Sequence, residues 1–217
     1  LIMFTDNDII PTVDIIDVYV DTAKENPEIS IFSGKILPDI SLPEWIDESY
    51  HRVRSALGIY DKGDVIVPIL PQDVWGGNMV LRKNIFMQGY GFNVEVGPKG
   101  ENYIMGSETE LLLKLEASGY KALYIPNSKV YHQIRENQLS LSWLKSRAFR
   151  SGKGVAFNKE DSASMLFGVP RYLFKKAIYG VFSLAIPILK LNKKEINYAV
   201  MELYYNFGRI IQSYKNS

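Results

Sequence analysis

The chain has 217 residues, of which 47% are hydrophobic and 23% are charged, and its formal net charge is +1. A near-neutral balance gives no indication of a nucleic-acid partner. The sequence contains no cysteine, which excludes a disulfide framework and a thiolate metal site and is compatible with a cytoplasmic protein. The length suits one domain, or one domain with an appendage.

Strand and helix signals alternate along the first two-thirds of the chain. Apolar runs predict strands at 1–4, 29–33, 79–81, 122–125 and 129–134. Helical spacing of apolar residues and helix-capping residues predict helices at 12–26, 43–57, 83–88, 107–118 and 139–153. This alternation predicts an α/β fold with a mixed, mostly parallel sheet and flanking helices. We expect it to form one domain over residues 1–155.

The remaining residues, 156–217, predict a C-terminal helical extension with two helices inside 170–214. The run 177–189 is almost wholly apolar, and about 20 residues are needed to cross a bilayer, so this run is too short to span one. It fits a helix lying at a membrane surface, or a buried helix that covers the domain. Lysines bracket the run at Lys175, Lys176, Lys190, Lys193 and Lys194.

Two carboxylates follow the first apolar run. Asp6 and Asp8 come directly after residues 1–4, so a buried strand would deliver both to its exposed carboxyl end. Carboxylates at this spacing suit a hard divalent cation such as Mg²⁺ or Mn²⁺, whose other ligands are usually water and phosphate oxygens. Without further support, the same residues are compatible with an ordinary polar turn.

Further motifs follow this D-x-D pair in a fixed order. The ordered set resembles the C-terminal half of family 2 glycosyltransferases, which have the GT-A fold, and the resemblance covers roughly residues 1–155. The family has a first, nucleotide-binding half before D-x-D, and no equivalent appears here, so we expect the chain to lack it and to be inactive alone. The segments are F-T-D-N-D-I-I-P at 4–11, W-G-G-N-M at 75–79, G-Y-G-F at 89–92, G-S-E-T-E-L at 106–111, and Y-I-P with V-Y-H at 124–132.

The resemblance implies roles for four residues. Asp8 would ligate the Mn²⁺ or Mg²⁺ directly, and Asp6 would face the donor ribose or a metal-bound water. Glu108 takes the place of the family's catalytic aspartate and would be the general base for the acceptor hydroxyl. Its alternative role is to stabilise the positive end of a helix. His132 would be an additional metal ligand or an ordinary hydrogen-bonded histidine.

The remaining candidate residues would bind donor or acceptor. Gly76 and Gly77 would allow the backbone to approach the donor sugar, and the Asn78 amide would hydrogen-bond its hydroxyls. Trp75 could stack on an acceptor sugar or pack in the core. Two arginines, Arg147 and Arg150, could contact the diphosphate or form a solvated helix face.

The function implied is inverting, metal-dependent transfer of a sugar in cell-surface polysaccharide or glycan synthesis. The donor would be a nucleotide-diphosphate sugar, the acceptor a saccharide or a lipid-linked glycan, and the location the cytoplasmic face of a membrane. One alternative is a non-catalytic fragment that binds a membrane or a partner. Another is a haloacid dehalogenase-type phosphatase, which also places D-x-D after a strand but needs a second acidic pair downstream.

Overall fold

The structure, a computed structural model, describes residues 1–94, 105–158 and 164–217. They divide into two compact units. The first unit contains Leu1–Ser41, Gly58–Val94 and Ser107–Ile134. The second contains Leu42–Leu57 and the described residues that remain at 105–106 and from Arg135 to the C-terminus. Residues 139–153, predicted from sequence to belong with the sheet, lie in the second unit.

The strands are short, except for two. They are β1 (Ile2–Phe4), β2 (Ile9–Pro11), β3 (Ile31–Pro38), β4 (Val67–Ile69), β5 (Met79–Leu81), β6 (Ala122–His132), β7 (Met165–Leu166) and β8 (Val169–Pro170). The helices are α1 (Ile15–Glu25), α2 (His51–Leu57), α3 (Asn84–Met87), α4 (Ser107–Ala117), α5 (Leu141–Asn158), α6 (Arg171–Ser183), α7 (Ala185–Leu189) and α8 (Lys193–Asn216).

The first unit is built on a six-stranded sheet with the order β1-β5-β3-β6-β2, in which β4 also pairs with β6. Only the β3–β6 pair is parallel, and the other described pairs are antiparallel. The α/β prediction is therefore confirmed at the level of class, whereas the expectation of a mostly parallel sheet is wrong. Three-residue apolar runs carry no signal of strand direction, and β2 and β4 were not predicted at all.

Alternate residues of the central strands bury against opposite faces of this sheet. Phe32 and Val80 pack on one face in a cluster that includes Tyr19 of α1. Their neighbours Ile31 and Leu81 pack on the other face. That second cluster also contains the buried leucines of α4, which are Leu111, Leu112 and Leu115. Helices therefore pack on both faces of the sheet, α1 on one and α4 on the other. The polar turns lie at the ends of the strands.

In the second unit, glycines let helices α5 and α8 approach closely. A Cβ added at Gly152 would lie 2.1 Å from the Tyr205 carbonyl oxygen, and one at Gly208 would lie 2.1 Å from that of Phe149. Helices α6 and α7 also contact α8. Helices α6, α7 and α8 follow one another from Arg171 to Asn216, with a short break between α6 and α7, and the hairpin β7–β8 precedes them.

Candidate active site

A turn of 3₁₀ helix at Gly76–Asn78 leads into β5 and lies beside the end of β1. Strands β1 and β5 are antiparallel, with Phe4 opposite Met79. Continuing this register by two residues brings Asp6 opposite Gly77. A Cβ added at Gly77 would lie 3.2 Å from Asp6 Oδ2. The β1–β5 register therefore places the Asp6 carboxylate next to Gly77 in the 3₁₀ turn.

Glu108 lies over the neighbouring glycine of the same turn. It is in the first turn of α4, which begins at Ser107. A Cβ added at Gly76 would lie 2.7 Å from Glu108 Cγ and 3.0 Å from its Oε1. A Cβ at position 76 would therefore displace the Glu108 side chain. Two carboxylates, those of Asp6 and Glu108, therefore lie over the consecutive glycines of this turn. Both acidic residues are far from the glycines in sequence.

Asp8 lies at the other side of the D-x-D turn, close to His132. Strands β2 and β6 are antiparallel with Ile9 opposite His132, and the Gln133 backbone N–H donates to the Asp8 carbonyl oxygen at 2.8 Å. Asp8 Oδ2 is 3.6 Å from His132 Nε2, and both side chains are largely buried. A carboxylate and an imidazole that face each other at this distance are close enough to ligate one cation.

The structure does not gather Asp6, Asp8 and His132 into one three-residue metal cluster. Within residues 1–94, 105–158 and 164–217, no group of three or more acidic, histidine or cysteine residues is arranged to hold a metal ion. Asp6 faces Gly77, while Asp8 and His132 face each other. A metal held by Asp8 would therefore need oxygen ligands from substrate or water, as is usual for Mg²⁺ and Mn²⁺ sites of this kind.

Asn78 lies in the core and has no exposed surface. Its Nδ2 donates to the carbonyl oxygens of Lys35 at 3.1 Å and Ser128 at 2.9 Å, and its Oδ1 accepts from the Tyr19 hydroxyl at 2.7 Å. Burial raises the pKa of Tyr19, so its phenol stays a donor. This amide cannot meet a sugar hydroxyl in this structure. We interpret Asn78 as the residue that anchors the glycine turn to the sheet.

Trp75 is half-buried and packs against the core cluster of the first unit. Its ring stacks on that of Tyr60, with centroids 5.6 Å apart and an interplanar angle of 22°. One face of the indole is therefore already covered by protein. Stacking of an acceptor sugar on Trp75 stays a prediction for the other face.

Arg147 and Arg150 lie on α5 in the second unit. The Arg147 guanidinium carbon is 5.9 Å from the ring centroid of Trp143 on the same helix. Both side chains are half-buried rather than part of a solvated face. Their predicted contact with a diphosphate stays a prediction.

Sequence reasoning missed two glycines that leave room for other residues of the site. Gly34 is one, because an added Cβ would lie 2.1 Å from the Ser128 carbonyl oxygen and 2.3 Å from Asn78 Nδ2. Gly58 is another, because it has a φ of +68° and lies against the His132 ring. Neither glycine belongs to a local motif, so no signal along the chain could have identified them.

Comparison with known proteins indicates a distant relation to glycosyltransferases and polysaccharide biosynthesis. The chain is 23% identical over 155 residues to a protein of Haloferax volcanii named glucosyl-dolichyl phosphate glucuronosyltransferase, an alignment that covers 70% of the chain and 49% of the relative. It is 26% identical over 113 residues to the succinoglycan biosynthesis protein ExoM of Rhizobium meliloti, covering 51% of the chain and 32% of the relative. The chain spans half or less of the length of these relatives. No protein-family model matches the chain.

Proposed function

We propose that this protein belongs to an inverting, metal-dependent glycosyltransferase of family 2 with a GT-A-like fold. It would move a sugar from a nucleotide-diphosphate donor to a saccharide or lipid-linked acceptor in glycan or polysaccharide synthesis. The observation that carries the proposal is the pair of carboxylates, Asp6 and Glu108, over the consecutive glycines Gly76 and Gly77. The names of the two distant relatives support the same reaction class.

Glu108 is the proposed general base. Its carboxylate takes the proton of the acceptor hydroxyl while that oxygen attacks the anomeric carbon, and the nucleotide diphosphate leaves from the opposite side. One such displacement inverts the anomeric configuration. The glycine at position 76 matters because any larger residue would push against the Glu108 side chain. General-base catalysis of this kind typically contributes about 10²–10⁴-fold to the rate.

Asp8 is the proposed ligand of the divalent cation, with His132 beside it. The carboxylate oxygen and imidazole nitrogen face each other at 3.6 Å, and this donor pair suits Mn²⁺ better than Mg²⁺, which prefers oxygen ligands alone. The cation would supply neutralisation of charge on the leaving diphosphate. Asp6 is left to orient the donor, because its carboxylate faces Gly77 rather than His132.

A lipid-linked acceptor is favoured over a free saccharide. The name of the Haloferax volcanii relative includes a dolichyl phosphate, which is a polyprenyl lipid carrier. One face of the Trp75 indole stacks on Tyr60, and its other face would contact the sugar of such an acceptor.

The two alternatives from the sequence analysis gain less support. A haloacid dehalogenase-type phosphatase needs a second acidic pair downstream of the D-x-D, and the sequence shows no clear pair of this kind. A non-catalytic fragment gives no reason for Glu108 to be held over Gly76. Catalysis by Glu108 would require its carboxylate to be held in a fixed position, as it is over Gly76.

The proposal is tested by incubating the protein with a panel of nucleotide-diphosphate sugars and a polyprenyl-phosphate-linked sugar acceptor. We expect transfer that is stimulated by Mn²⁺ and removed by EDTA. Release of inorganic phosphate from simple phosphomonoesters, without sugar transfer, would instead favour the phosphatase. Because the chain spans half or less of the relatives' length and is expected to be inactive alone, the assay uses a longer form of the protein that matches their length.

A further inference from the structure

The second unit exposes a continuous set of large apolar side chains on α6 and α7. The side of these helices that packs toward α8 carries Leu173, Gly180 and Pro187, and Gly180 lies against Leu203 of α8. The opposite side carries a second stripe, with steps of three or four residues after position 179. Its members are Ile178, Tyr179, Phe182, Ile186 and Leu189, all of them exposed.

A helix that packs on one side normally has polar residues on the other. Here only 17% of the most apolar stretch of Arg171–Leu189 is buried. The helix is therefore apolar nearly all round and covered on one side only. Exposed apolar patches of this kind mark surfaces that meet another apolar phase or molecule.

The turns at both ends of these helices extend the apolar surface at a conformational cost. Phe167, at the tip of the β7–β8 hairpin, has φ 50° and is 79% exposed; Leu191, after α7, has φ 52° and is 82% exposed. Among the described residues these are the only positive-φ positions not occupied by glycine. Asparagine or glycine would fit such turns without strain. The sequence keeps a large apolar side chain at each tip instead.

The charged residues of the segment that carries this surface have one sign. From Ser164 to Lys194 the sequence contains no acidic residue. A second copy of the chain would bring the same positive charges together, which disfavours self-association. Anionic phospholipid headgroups would complement them. The basic residues in this stretch are Arg171, Lys175, Lys176, Lys190, Lys193 and Lys194.

The packing against α8 decides between lying on a membrane and crossing it. Arg171–Leu189 has 19 residues and is long and apolar enough to span a bilayer. The apolar run predicted from the sequence, 177–189, is too short to do so. However, Arg171–Leu189 lies alongside α8, which contains Glu202 and Arg209, and Arg209 hydrogen-bonds to Tyr172 of α6. Spanning would draw these charges into hydrocarbon.

We propose that Phe167, Leu191 and the exposed α6–α7 stripe form a membrane-docking surface. The surface inserts into the headgroup region of an anionic bilayer, with α6 lying in the membrane plane and the lysines at the lipid phosphates. The cytoplasmic leaflet is the anionic one in cells, so this is the face at which we expect the protein. The inference does not rest on the transfer chemistry proposed above.

Vesicle co-sedimentation tests the docking surface directly. We expect the protein to bind phosphatidylcholine vesicles that contain phosphatidylglycerol, and to bind less as salt is raised. The triple variant Phe167→Ser, Phe182→Ser, Leu189→Ser should lower the partition coefficient by more than about tenfold, because each side chain loses apolar burial. The matched control is Val13→Ser with Met87→Ser, two exposed apolar residues of the first unit, which should bind as wild type.

The lysines are tested separately from the apolar residues. Changing Lys175 and Lys176 to Gln should weaken binding to anionic vesicles by about fivefold per lysine and leave binding to pure phosphatidylcholine unchanged. Circular dichroism checks that each variant keeps its helix content. Equal vesicle binding by the wild type and the triple variant would overturn the proposal. So would a wild-type dimer that binds no vesicles and becomes monomeric in the triple variant.

Discussion

Replacing Gly76 with alanine should displace the proposed general base, Glu108, without changing its carboxylate. The added Cβ would lie 2.7 Å from Glu108 Cγ, whereas carbon atoms normally approach to about 3.5–4.0 Å. Glu108 must therefore move by about 1 Å, and a misplacement of this size can lower a rate by about 10²-fold. We expect kcat to fall by about that factor.

Stability should change little in the same variant. The atoms that the new Cβ meets belong to the flexible end of a side chain, and Gly76 does not have a positive φ. Replacing glycine by alanine at such a position stabilises a protein by about 0.4–1 kcal/mol through the unfolded chain. This gain offsets part of the cost of moving Glu108.

The assay measures kcat, donor affinity by calorimetry, and Tm. Gly91→Ala is the matched control, because an added Cβ there meets no atom of the described residues within 4 Å. We expect the control to behave as wild type in all three measurements. A folded Gly76→Ala variant with wild-type kcat would refute the proposal that Glu108 acts as the general base from this position.

Three further variants probe the metal site, the buried network and the ion pair of Asp61 with the buried Lys35. Asp8→Asn should abolish stimulation of transfer by Mn²⁺ while leaving Tm unchanged, as measured by a metal titration of activity. Gly34→Ala should destabilise the fold by about 1–3 kcal/mol in urea unfolding, because overpacking against a carbonyl oxygen cannot be relieved by a side-chain rotation. Burial raises the pKa of Asp61, but the Gly63 backbone N–H and Lys35 outweigh it, and the pKa lies below its ordinary value. Its stabilising effect is therefore complete above the ordinary value of 3.8 and is lost as pH falls through the folded pKa, so Asp61→Asn should flatten the acid side of a Tm–pH profile.

The elements that carry the site were predictable where a single local pattern defined them. The apolar run before Asp6 forms β1, and helix α4 begins at Ser107 as its acidic first turn indicates. The order of motifs predicted both Asp6 and Glu108 as site residues. It did not reveal that they lie over adjacent glycines, since this depends on the β1–β5 register and on the packing of α4.

The rest depended on contacts between distant residues. The Asn78 side chain is buried by Tyr19, Lys35 and Ser128, which are 43 to 59 residues away. The G-G-N motif alone does not show that the Asn78 amide has these partners, and so it predicts an amide that is available to a sugar. Strand direction was missed for a related reason, because three-residue strands acquire a direction only from their neighbours in the sheet.

The stereochemistry and base dependence of transfer test the central claim most directly. We would follow the anomeric configuration of the product by NMR in the wild type, in Glu108→Gln, and in Glu116→Gln as a matched control on the same helix. The account predicts an inverted product, a rate about 10²–10⁴-fold lower in Glu108→Gln, and a wild-type rate in Glu116→Gln. A product with retained configuration, or a wild-type rate in Glu108→Gln, would contradict it.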